Sequence, residues 1–183
     1  MSLELTIVLL LILLNGFFAL SEMAVMTARK TRLRQRAGDS RGARIALELA
    51  EKPERFLSSV QVWITLIGIL TGFFGGESIA MALRDELALI PWIARHAQPV
   101  SVGISVGIIL FVSVVVGELV PKRLAIVRPE KIATAVAIPM RILATAAAPA
   151  VSLLSVTTEA LFRLFPVKHG NDSDVTEEEI KML

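Results

Sequence analysis

Residues 100–122 read Val-Ser-Val-Gly-Ile-Ser-Val-Gly-Ile-Ile-Leu-Phe-Val-Ser-Val-Val-Val-Gly-Glu-Leu-Val-Pro-Lys. The run is apolar enough to cross hydrocarbon, yet it carries Glu118 near its end and Pro121 three residues later. A carboxylate at membrane depth costs at least about 2.5–3.5 kcal/mol, so it persists only with a partner. Pro121 has no N–H, and the carbonyl of Gly117, four residues back, loses its helical hydrogen bond. A carboxylate and a freed carbonyl then occupy adjacent residues, and hard oxygen donors of this kind suit a small cation. The competing reading ends the helix at the interface, with Glu118 among headgroups and Lys122 beside it.

The rest of the chain agrees with a membrane setting. Of its 183 residues, 54% are hydrophobic, which excludes an ordinary soluble domain. Cysteine is absent, and with it thiolate metal sites and disulfides. His96 and His169 fall outside the apolar runs, so a histidine-rich zinc or copper site is not expected. Trp63 and Trp92 are candidate interfacial anchors. The chain starts Met-Ser-Leu-Glu with no basic segment before its first apolar run, which is expected to be a retained span.

Three stretches are long enough to span about 30 Å of hydrocarbon: about 3–28, about 56–81 and about 100–121. Basic residues set their direction. Arg29, Lys30, Arg32, Arg34, Arg36, Arg41 and Arg44 follow the first span; Lys122, Arg123, Arg128 and Lys131 follow the third. The connection between spans two and three holds only Arg84 and Arg95, offset by Glu77, Asp85 and Glu86. This places the N-terminus outside and the C-terminus in the cytoplasm.

The segment 131–165 is apolar but interrupted by Pro139, Arg141, Pro149 and Glu159, and is expected as short helices at the cytoplasmic interface. A fourth crossing is the alternative. Residues 40–59 are expected to hold further juxtamembrane helices, with Pro53 at a first helical position. Residues 168–183 read as a polar linker and the start of a helix opened by a capping box, Thr176-Glu177-Glu178-Glu179. Leu183 comes about two turns into that helix, so more sequence is expected beyond it. The basic run 29–44 abuts a span, so anionic lipid headgroups rather than nucleic acid are its expected partners.

Gly68, Gly72 and Gly76 recur every four residues in span two, and Gly103 and Gly107 repeat the device in span three. Small residues at this spacing let another backbone approach. Three thin helices rarely enclose a polar path alone, so a homodimer is expected; packing within one subunit is the other reading. Ser21 and Glu22 in span one, with Gln61 and Thr65 on one face of span two, are further oxygen-bearing candidates beside Glu118. Glu22 is read more as a partner of the cationic segment at Arg29 and Lys30, and Thr65 has the alternative of bonding only its own helix. No nucleophile elbow, Walker loop, zincin helix or dinucleotide loop occurs, so no enzymatic activity is expected.

Four stretches together carry a family likeness: Asn15-Gly-Phe-Phe-Ala-Leu-Ser-Glu-Met-Ala24, Pro53-Glu-Arg-Phe-Leu-Ser58, Gly117-Glu-Leu-Val-Pro-Lys122 and Val175-Thr-Glu-Glu-Glu-Ile180. In this order the chain resembles, over essentially its whole length, the DUF21 transmembrane domain of the CorC/CNNM (cyclin M) magnesium transport proteins. The resemblance implies an all-α membrane protein, homodimeric, with three transmembrane helices plus cytoplasmic juxtamembrane helices. It also implies residues 1–167 as the membrane domain, in a bacterial inner (plasma) membrane, followed in full-length members by CBS modules that bind ATP. The implied ion site comprises Ser21, Thr65, Gly68, Gly117 and Glu118, with Gln61 and Glu22 as secondary candidates. Many members have a serine where this chain has Ala19, and asparagines where it has Ile64 and Gly68. The site is thus expected to lean on backbone carbonyls or retained water.

The expected function is transport of Mg2+, with Na+ as coupling ion if the direction is export. Two alternatives stand beside it: export of polyamines or other organic cations, and a non-transporting anchor for regulatory modules.

Overall fold

The computed structural model describes residues 2–164, which are helical almost throughout and contain no strand. The linker and capping box expected at 168–183 lie outside the described residues. Packing divides the chain into a unit of residues 1–151 and a second of residues 152–183.

The first span is α1 (Ser2–Thr27). Two short helices follow, the basic α2 (Lys30–Arg36) and α3 (Arg41–Glu51), whose two arginines are balanced by two glutamates. The Ser40 hydroxyl caps α3 by accepting from Ala43 N–H at 3.3 Å. Next come α4 (Pro53–Leu87), a short 3₁₀ turn at Ala94–His96, and α5 (Ala97–Val114). A π turn (Val115–Leu119) joins α5 without interruption to α6 (Val120–Val127), and α7 (Pro129–Leu164) closes the described chain. Among the described residues four stretches are long and apolar enough to cross a bilayer: 3–27, 53–87, 94–127 and 129–163.

Two boundaries differ from the sequence reading. Residues 53–59 are not a separate juxtamembrane helix but the first turns of α4, because Pro53 sits at the helix start, where its missing N–H breaks nothing. As far as Leu164, the segment expected as short halves is one helix: α7 runs unbroken through Pro139 and Pro149. Each proline removes one hydrogen bond, but an apolar helix continues past that loss when neighbours and local adjustment absorb it.

The core sits toward the basic end of the bundle. Phe18 and Val25 of α1, Leu33 of α2, Ile45 of α3, Phe56 and Val60 of α4, and Met140 of α7 are all buried there. Trp63 belongs to this packing: its ring stacks on Phe18 at 6.0 Å and its indole N–H donates to the Leu143 carbonyl at 3.0 Å. Gly42 of α3 lies directly against the Thr134 carbonyl of α7. Toward the other end, Gly75 of α4 abuts Ile109 and Val8, and the Ser105 hydroxyl donates to the Gly76 carbonyl at 3.0 Å. Helices α1, α4 and α5 are thereby closed on one another.

Candidate cation site

The decisive local feature is the wide turn at 115–119. Val120 N–H reaches back five residues to the Val115 carbonyl, one more than in an α-helix. Such turns recur at functional sites because they loosen one carbonyl ladder and re-aim the side chains beside it. Gly16 of α1 makes room for it. A methyl group on Gly16 would stand 3.1 Å from Pro121 and 3.3 Å from the Val116 carbonyl; one on Gly117 would stand 3.1 Å from Asn15 Nδ2.

This close approach disposes of the carbonyl that Pro121 frees. Asn15 Nδ2 donates to the Gly117 carbonyl at 3.2 Å, so that oxygen is not left as an open ligand. A buried carbonyl deprived of its helical donor recruits another, and the Asn15 amide is the group within reach. The amide's other end is unspent. Asn15 is 7% exposed, and its Oδ1 has no hydrogen-bond partner; Ser113 Oγ is the other such buried side-chain atom among the described residues.

Both residues line the same cavity. It measures about 270 Å³ and is bounded by Asn15 of α1, Gly68 and Gly72 of α4, and Ser113 and Glu118 with their aliphatic neighbours on α5 and the wide turn. Residues bearing an amide oxygen, a hydroxyl and a carboxylate therefore line one cavity, all hard donors. Among the described residues no cluster of three or more His, Asp or Glu side chains forms, so neutral oxygens accompany the single carboxylate.

Of the residues named from sequence, Gly68 and Glu118 meet at this cavity. Gly117 is held through its carbonyl behind the wall. Ser21 is fully buried elsewhere, its hydroxyl donating to the Phe17 carbonyl at 2.7 Å. Thr65 is exposed and accepts from Gln61 Nε2 at 3.4 Å, and neither of the two lines this cavity. Glu22 pairs with Lys122 Nζ at 3.7 Å rather than with Arg29 or Lys30. Neither Asn15 nor Ser113 is among the candidate ligands named from sequence. An asparagine next to a glycine, opposite a Gly-Glu and a proline, is the signal that marks Asn15.

Comparison with known proteins points to a membrane domain. The model of the cyclin M transmembrane N-terminal domain matches residues 6–183. A UPF0053 protein of Synechocystis is 49% identical over the whole of this chain and 41% of its own length. The UPF0053 protein YhdT of Bacillus subtilis is 33% identical over 94% of this chain and 38% of its own. A protein of Haemophilus influenzae named polyamine export protein is 30% identical over 93% of this chain and 39% of its own. This chain thus spans about two-fifths of the length of these relatives. With the matched model covering nearly every residue, the chain belongs to the cyclin M transmembrane domain family.

Proposed function

We propose that this chain is the membrane domain of a cation transporter, that its substrate is Mg2+, and that the ion is held at Asn15, Ser113 and Glu118. The observation that carries the reading is the pair of buried, unpartnered oxygens beside a carboxylate in one cavity. Unsatisfied acceptors in a low-dielectric setting are unfavourable until something positive or protic meets them. Mg2+ sheds water reluctantly and commonly keeps several waters, so a site of few protein oxygens suits a partly hydrated ion. Moving one charge against the membrane potential takes about 2.3 kcal/mol per 100 mV, and a divalent ion twice that. Export therefore needs a coupled ion such as Na+, whereas uptake does not.

The proposed setting is a homodimer in a bacterial inner membrane, N-terminus outside, with α2 and α3 at the cytoplasmic surface among anionic headgroups. In that setting α7 lies along the cytoplasmic face, leaving three crossings. Ion pairs hold it to α3 and α2: Arg141 to Glu48 at 3.3 Å and Glu130 to Arg32 at 3.6 Å. ATP-binding CBS modules beyond this chain would act through it.

A second substrate, a linear polyamine, has its own support. Half the cavity lining is Ile64, Val106, Ile109, Leu110 and Val114, a wall suited to methylene groups between ammonium ends. Three relatives also bear the name polyamine export protein.

Glu118→Ala is expected to abolish saturable Mg2+ flux into proteoliposomes while the protein still assembles. Undiminished flux in that variant overturns the site. Binding of Mg2+ and spermidine measured side by side decides between the substrates.

A further inference from the structure

Lys122 stands where the site reading gives it no task. Its Nζ lies 3.9 Å from Oε2 of Glu118 and 3.7 Å from Oε2 of Glu22. Glu118 thus meets the cavity and also an ammonium group. Among the described residues neither carboxylate has a second ion-pair partner.

The geometry points to Lys122 as a tethered counter-ion: its ammonium neutralises Glu118 until a substrate cation arrives, then withdraws onto Glu22. The inference rests on the reading that Glu118 holds the substrate. Three observations carry it. Both distances are long for ion pairs, so the ammonium is shared between two carboxylates and bound tightly by neither. All three side chains are partly open, at 37% for Lys122, 25% for Glu22 and 39% for Glu118, which leaves the lysine free to move. The arrangement is also asymmetric, because Glu118 lines the cavity and Glu22 does not.

The charges explain why such a device is useful. Two carboxylates sharing one ammonium leave one negative charge over. A cation entering beside Glu118 would meet like charge if the ammonium stayed. Glu22 supplies a second resting place, so the lysine moves between carboxylates without becoming an unpaired cation. A lysine suits this exchange better than an arginine, since a point charge on a flexible four-carbon stem has no fixed fork to break.

The test is isothermal titration of the purified chain in detergent, with MgCl2 and spermidine as probes. Lys122→Met removes the competitor and is expected to tighten binding roughly fivefold, the scale of a partly exposed ion pair. Glu22→Gln is expected to weaken binding by a similar factor, because Lys122 then rests on Glu118 alone. In the double variant the Glu22 effect should vanish, since it acts through the lysine. A lysine that only fastens α6 to α1 predicts something else: lower melting temperature in both single variants and no tightening in either. That pattern overturns the inference. Lys122→Gln, closer in length, replaces Lys122→Met if the latter aggregates, and unchanged or weaker affinity in the folded variant counts equally against it. Glu118→Gln separates the two levels. Binding that survives it, or no binding of either probe to the unaltered chain, overturns the site itself and the inference with it. Binding lost in Glu118→Gln but unchanged in Lys122→Met overturns the counter-ion alone.

Discussion

Asn15 and Ser113 have opposite standing in the protein, and that difference makes them separable by experiment. Asn15 does two jobs, since its amide N–H meets the Gly117 carbonyl while its oxygen has no protein partner. Asn15→Ala should therefore destabilise the fold by about 1–3 kcal/mol, the penalty of a buried carbonyl left unpaired, and weaken cation binding as well. The Ser113 hydroxyl makes no hydrogen bond to the protein, so Ser113→Ala should leave the melting temperature unchanged. Its Mg2+ affinity should fall by roughly fivefold, about 1 kcal/mol. Titration beside a thermal melt checks both, and unaltered affinity in Ser113→Ala would remove that residue from the site. Glu118 was legible because a carboxylate in an apolar run is chemically costly wherever it sits. Ser113 was not, because five residues along a regular helix separate it from Glu118 by about 140°. The wide turn between them changes that angle, and nothing in a run of three valines announces it.

At the scale of elements, the backbones of α3 and α7 come close at one glycine. A methyl group on Gly42 would collide with the Thr134 carbonyl, which is backbone and cannot rotate away. Gly42→Ala should lower stability by about 1–3 kcal/mol, the usual range for overpacking a tight contact. Gly38 is the control, since nothing stands within 4 Å of where its methyl would go. Equal melting temperatures for the two variants would mean that α3 is not held on α7 in this way. Helix lengths show where reading from sequence runs short. The three long apolar runs were plain from composition, as were the basic segments that follow the first and third. The continuity of α7 was hidden because rules for proline come from helices in water, where nothing compensates a lost hydrogen bond. Trp63, read as a candidate interfacial anchor, also clamps α4 to α7, a role that depends on a carbonyl eighty residues away.

For the whole molecule, the glycine stripe on α4 leaves its side-chain positions uncovered by any described residue. Gly68, Gly72 and Gly76 all have open space where a side chain would begin, unlike Gly75, which is packed. The same holds for Gly103 and Gly107 on α5. A second copy approaching this face is the proposed assembly, and Gly72→Leu should yield a monomer by light scattering in detergent. A dimer of unaltered strength would mean that another surface is used. Gly68 and Gly72 also form part of the cavity wall beside Glu118. Association and cation occupancy then share atoms, which makes them thermodynamically linked: whatever favours one must favour or oppose the other by the same free energy. If the closed face completes the cation's surroundings, saturating cation at 100 times its dissociation constant strengthens the assembly by up to about 2.7 kcal/mol. Dilution would then empty the site as surely as a chelator does, and the number of copies in a membrane would set how tightly each one holds its ion.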